Sequence, residues 1–151
     1  MKHALVVDES RAIRIVARRI LALNGFEVFE AENSEHGIAL WSQWKPDLVL
    51  ANWYATGADW FFENIRKHPT RPTTKLVAFL VEIEPREMDN AVRVGVDAFL
   101  LKPFARETVE AMLDDIGLFS GIRRTGRLTG SGSRLSCRGI LRDWRANSRL
   151  S

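Results

Sequence analysis

Three short stretches carry the residues that could do chemistry. The acidic pair Asp8-Glu9 follows an apolar run over residues 3–7. Asn52 closes a second apolar run, 48–51, and is followed at once by Trp53-Tyr54. Lys102-Pro103-Phe104 follows a third run, 98–101. Two adjacent carboxylates suit a cation, or sit favourably at the positive end of the helix that follows them. With a lysine for company, the acidic-pocket reading is preferred over simple helix capping. Asn52 ends a buried strand where an open α/β sheet presents its crevice, and its side chain is an amide. An amide can shape a turn but is a poor nucleophile.

The elements needed to position these residues alternate regularly. Ser10 is a plausible N-cap for a helix from about Arg11, since a serine hydroxyl accepts from an early backbone N–H. Ile13, Val16, Ala17, Ile20 and Leu21 recur at helical spacing as its buried stripe, with Arg11, Arg14, Arg18 and Arg19 largely off it. Asn24-Gly25 stops that helix. A strand over 26–30 follows, then a helix capped by Asn33 or Ser34 and running to about Trp44. After the strand ending at 51, Asp59 can cap a helix carrying Phe61, Phe62 and Ile65. The fourth strand spans 75–81. Pro85 opens the next helix, where its missing N–H costs nothing, and Gly95 ends it. The fifth strand, 98–101, leads into a helix from about Ala105. Five β-α repeats with short continuous apolar strands predict a parallel sheet covered by helices on both faces.

Composition narrows the function classes. The 151 residues suffice for one domain. No apolar run is long enough to span a bilayer, and the first residues do not begin a secretory signal. The single Cys137 forms no internal disulfide, which fits a reducing cytoplasm, and no Cys/His cluster suggests zinc. His3, His36 and His68 have no mutual spacing of a metal or transfer site. The net charge of +3 is divided: residues 1–116 carry 14 Lys/Arg against 18 Asp/Glu, a net −4, while residues 117–151 carry eight Arg against one Asp, a net +7. The last segment is rich in Gly, Ser and Arg and reads as a flexible basic tail, with Ile140, Leu141 and Trp144 as its one apolar turn. It lacks aromatic interleaving and a helix-turn-helix, so nucleic-acid binding through phosphate contacts is a secondary expectation.

The acidic pair, the Asn52 strand end and the Lys-Pro-Phe run stand at the ends of strands 1, 3 and 5, with Gly95 at its usual distance before Lys102. On these landmarks residues 1–118 resemble the receiver domain of response regulators, the CheY-like branch of the flavodoxin-like α/β fold. Residues 119–151 form the tail. The resemblance implies a five-stranded parallel sheet of order 2-1-3-4-5, with a site beyond the carboxyl ends of strands 1 and 3. In that family an aspartate at the end of strand 3 takes a phosphoryl group from a phosphohistidine. Two acids help hold Mg²⁺, a Ser/Thr after strand 4 senses the phosphate, and the strand 5 lysine pairs with it.

Carried over by position, Asp8 and Glu9 are the acidic pocket and the metal-ligand candidates, Lys102 is the lysine, and Asn52 stands at the phosphoacceptor. Leu80 stands at the hydroxyl switch, counting back from Lys102, and Phe99 at the aromatic switch. The usual Met-Pro is replaced at Ala55-Thr56. The resemblance therefore implies a pseudo-receiver. It requires no cofactor and holds Mg²⁺ weakly or not at all, since one of three carboxylates is missing. It has no catalytic residue and is not an enzyme, and Lys102 pairs with Asp8 or Glu9. Its expected partners are a histidine kinase or another regulator, or a second copy. These would meet the face of helix 4, strand 5 and helix 5, with Glu87, Arg93, Asp97, Phe99 and Arg106 as contacts. Asp59 is the alternative acceptor, and one or two of Trp53, Tyr54, Trp60, Phe61 and Phe62 are candidates for docking.

Overall fold

A computed structural model of the chain describes residues 1–69 and 73–119. The strands are β1 (Lys2–Val7), β2 (Phe26–Ala31), β3 (Leu48–Asn52), β4 (Lys75–Leu80) and β5 (Ala98–Leu101). The helices are α1 (Arg11–Leu23), α2 (Ser34–Trp44), α3 (Ala58–Lys67), α4 (Pro85–Arg93) and α5 (Arg106–Asp115). The strands form one parallel sheet in the order β2-β1-β3-β4-β5. β1 and β3 are neighbours, with Val7 opposite Ala51, so the residues just after them, Asp8 and Asn52, meet at one edge of the sheet. Every residue of β3 is buried, as the continuous apolar run requires of a central parallel strand.

Local chemistry sets the helix starts. The Ser10 hydroxyl accepts from the Ile13 N–H at 3.4 Å, and Asn33 Oδ1 accepts from His36 N at 2.8 Å. α3 departs from the sequence reading: its N-cap is Gly57, at φ 75°, and Asp59 lies inside the first turn. The left-handed turn at Gly57 starts the helix two residues too early for Asp59 to cap it. The Asp59 carboxylate instead accepts from Trp60 N at 2.8 Å, near the positive helix end. Gly37 lets α2 lie directly on the sheet, because a Cβ there would stand 2.9 Å from Val7 Cγ2 and 3.0 Å from Phe61.

The α1 stripe also differs from expectation. Ala17, Ile20 and Leu21 are buried, but so is Arg14, while Val16 is 41% exposed. Arg14 and Val16 flank the stripe on opposite sides. Arg14's flank faces the turn after β1 and the acids of β2, which cover it and satisfy its guanidinium; Val16's flank opens to solvent.

At the far end of the domain the Lys2 ammonium donates to Leu118 O at 2.9 Å, and Leu118 and Phe119 pack against the core. The expected tail, with the apolar turn expected at 140–144, lies outside the described residues from residue 120 on. Among the described residues no helix is long and apolar enough to cross a membrane.

Candidate functional site

The crevice is built by the ends of β1, β3, β4 and β5. Asp8 is 1% exposed, and its backbone N–H continues the sheet by donating to Ala31 O at 3.1 Å. Its carboxylate has both oxygens engaged. Oδ1 accepts from Ser10 N at 2.9 Å and Oδ2 accepts from Lys102 Nζ at 2.7 Å. Lys102 is placed by its own backbone, whose N–H donates to Leu80 O at 2.8 Å, and its ammonium lies 5.5 Å from the centre of the Phe79 ring. The cation is therefore held between a buried anion and an aromatic face.

Under this pair lies a residue that motif reasoning missed. The Arg14 guanidinium donates to Asp8 O at 2.7 Å, to Glu9 O at 3.3 Å and to Glu30 Oε1 at 3.2 Å. It ties the turn after β1 to β2 by satisfying two carbonyls that the turn leaves unpaired. The signal was present: Arg14 stands three and seven residues before Ala17 and Leu21, close beside the buried stripe. Glu9, by contrast, is exposed, and its carboxylate meets no partner among the described residues.

Asn52 is 7% exposed and ends β3. Its Oδ1 accepts from Tyr54 N at 3.4 Å and its backbone carbonyl accepts from Ala55 N at 3.3 Å, so the amide shapes the turn into α3. It makes no hydrogen bond to Asp8 or Lys102. Leu80, 1% exposed, places a branched alkyl group at the end of β4, and Phe99 points into the core at 2% exposure. Buried in this way, Phe99 cannot serve as a surface contact, which corrects the expected partner face. Asp97 is likewise occupied: its Oδ2 accepts from Arg66 at 2.7 Å and from Leu76 N at 2.8 Å, clamping α3 to the start of β5. Arg66 also donates to Gly95 O. Arg93 pairs with Asp89 at 2.9 Å. Arg106 pairs with Glu110 at 2.9 Å; that hydrogen bond, and then the charge behind it, raise the guanidinium pKa above its ordinary value.

Two aromatic side chains connect the β3 end to the α4 region. Trp53 Nε1 donates to Glu87 Oε2 at 2.5 Å, and its ring stacks on Phe62. The Tyr54 hydroxyl accepts from Val81 N at 3.3 Å. Beside Trp53 a groove of about 360 Å³ runs between the start of α3 and α4, with Asp59 and Glu87 on its walls. Asp59 therefore opens on this groove, not on Lys102. Phe61 and Phe62 are fully buried, which leaves Tyr54 and Trp60 as the exposed members of the aromatic group.

The donor set does not fit a tightly held Mg²⁺. Asp8 is already satisfied by Lys102 and Ser10, Glu9 points to solvent, and Asn52 offers only a neutral oxygen that its own turn uses. Among the described residues no group of three His, Cys, Asp or Glu could hold a metal.

A strand order of 2-1-3-4-5 with a buried Asp-Lys pair at the ends of β1 and β5 is matched in sequence. The profile of the response regulator receiver domain covers residues 4–114. The chain belongs to this family. The receiver is 30% identical over 128 residues to the phosphate regulon transcriptional regulatory protein PhoB of Pseudomonas aeruginosa, covering 83% of this chain and 53% of that protein. It is 30% identical over 111 residues to protein PilH of the same organism, covering 72% of this chain and 92% of PilH. Of the first relatives it matches, PhoB among them, the chain spans about half the length. In structure the receiver superimposes on the chemotaxis response regulator CheY4 of Vibrio cholerae with a TM-score of 0.72 at 24% identity, covering 77% of this chain and 98% of that one. This last likeness is one of fold.

Proposed function

We propose that this receiver of two-component signalling acts without phosphorylation, as a protein-interaction module. The observation that carries the reading is the state of the β3 end. The residue there is an amide folded into its own turn, and the ammonium that would meet a phosphoryl group is spent on Asp8. Formation of an acyl phosphate needs an anionic carboxylate oxygen as nucleophile, and Asn52 has none. Leu80 adds a second argument, because an alkyl group cannot bond a phosphoryl oxygen. On this reading the chain has no catalytic residue and requires no metal. Its partners are a histidine kinase or another regulator, met in the cytoplasm through the exposed parts of α4 and α5, with a homodimer through the same face as a variant. Arg93 and Arg106 are among the exposed charges there. A partner that binds one of two arrangements better would still shift the population without covalent change.

The experiment is phosphoryl transfer from a small phosphodonor with Mg²⁺, read by intact mass. The native chain should gain nothing, and Asn52→Asp should gain one phosphoryl group. Asp59 is the competing acceptor, being an exposed carboxylate in the loop-to-helix turn after β3. A gain by the native chain that disappears in Asp59→Asn would replace this reading with a working phosphorelay receiver.

A further inference from the structure

The groove of about 360 Å³ between the start of α3 and α4 has no part in the Asp8–Lys102 pair. Each of its helices brings a carboxylate from its first turn, Asp59 from α3 and Glu87 from α4. Trp53, Ala55 and Val94 add apolar lining. The Trp53 indole stacks on Phe62 and donates its N–H to Glu87 Oε2 at 2.5 Å. Asp59 accepts from the backbone N–H of Trp60. Neither carboxylate has an ion-pair partner among the described residues. The one cation among the lining residues, Arg93, is taken by Asp89 at 2.9 Å.

We infer that this groove receives an arginine side chain of a protein partner. Two carboxylates without a counter-charge, one on each helix, repel an anion and favour a cation. The planar guanidinium fork can donate to both helices at once, whereas a lysine ammonium is a compact and more strongly hydrated point charge. A guanidinium is also attracted to an indole ring, and the methylene stem of the arginine packs on Ala55 and Val94. The groove is at the small end of ligand pockets, a size that suits one long side chain better than a bulky ligand. Trp60, 46% exposed and next to Asp59 in α3, offers apolar contact to the residues flanking the arginine, which favours a protein over a free guanidine. The charge of −4 on residues 1–116 draws a basic segment in the same direction. The inference rests on the interaction-module reading for its partner. The groove keeps its charges without phosphoryl transfer, so the two can fail separately.

The indole N–H of Trp53 gives the full ¹⁵N-labelled chain a reporter bonded to one of the two carboxylates. Titration with acetyl-Gly-Arg-Gly-amide, without phosphodonor or Mg²⁺, should shift that resonance and the amides of Asp59 and Glu87 saturably, and less at high salt. Acetyl-Gly-Lys-Gly-amide should bind more weakly. Asp59→Asn and Glu87→Gln retain acceptors for Trp60 N and Trp53 Nε1. Each should weaken binding about fivefold, the upper worth of a partly exposed ion pair, and the double variant should abolish it. No shift at Trp53, or shifts that survive the double variant, would overturn the inference. Equal binding of the lysine peptide would overturn the assignment to arginine. Guanidinium chloride that saturates the site at the same concentration as the peptide would overturn it in favour of a free guanidine. A native chain that takes up a phosphoryl group and still binds the arginine peptide would remove the phosphorylation-free reading and leave the groove standing.

Discussion

The two halves of the crevice have opposite character. At the β1/β5 corner every charge but that of the exposed Glu9 has a partner: Lys102 on Asp8, and Arg14 on the carbonyls of Asp8 and Glu9 and on Glu30. At the β3/β4 corner the groups are neutral: an amide bonded to its own turn, an alkyl side chain, and a phenol reaching to the next loop. The first corner is a set of mutual obligations that no single residue can leave. The second is a set of neutral groups, none of which depends on a charged neighbour. One crevice can therefore hold a paired electrostatic cluster beside a region with no charge to pair.

The sharpest way to break this contrast is Lys102→Met. The Lys102 side chain is 16% exposed and Asp8 1%, so the substitution leaves a buried carboxylate with only the Ser10 amide. Removing one partner of such a pair costs about 3–5 kcal/mol, whereas replacing both is often nearly neutral. Urea unfolding should show that loss in Lys102→Met and a large recovery in Asp8→Leu/Lys102→Met. A single variant as stable as the native chain would mean that the corner is held by packing and not by charge.

What could be read from the sequence follows the same division. The five apolar runs located the strands, because a central parallel strand needs nothing beyond continuous burial, and Ser10, Asn33 and Gly95 marked turns by their own chemistry. Strand order came from the family likeness, since periodicity says nothing of which strand lies beside which. Arg14 was misread because an arginine on an amphipathic helix is ordinarily solvated; only the unpaired carbonyls of the preceding turn make it a buried residue. Asp59 was misread because the positive φ of Gly57 starts α3 earlier than a carboxylate cap would. The Trp53–Glu87 and Tyr54–Val81 bonds join residues 34 and 27 positions apart, beyond the reach of any local pattern. Phe99 lies in β5, yet was placed on a surface it does not reach.

The neutral corner can be tested by restoring one polar group. Leu80→Thr puts a hydroxyl at a position that is 1% exposed and removes apolar volume from the core. An unpaired buried hydroxyl costs about 1–3 kcal/mol. A net loss of about 2 kcal/mol in urea unfolding is expected, smaller than that of Lys102→Met. If Leu80→Thr is neutral, a hydrogen-bond acceptor waits at that position and the corner is less apolar than its residues suggest.

The smallest effect should come from Tyr54→Phe, which removes one hydroxyl at a half-exposed ring. Its bond to Val81 N is 3.3 Å long and open to water, so its net worth is about 0.5–1 kcal/mol. Global stability will register little of this. Hydrogen exchange is the better measure, because local opening is read amide by amide. The Val81 amide should exchange faster in Tyr54→Phe, while the Ser10 amide, held by Asp8 at the charged corner, should keep its native rate. Faster exchange at both corners would show that the β3 turn and the Asp8–Lys102 pair open together, and the crevice would then be one cooperative unit with two kinds of surface.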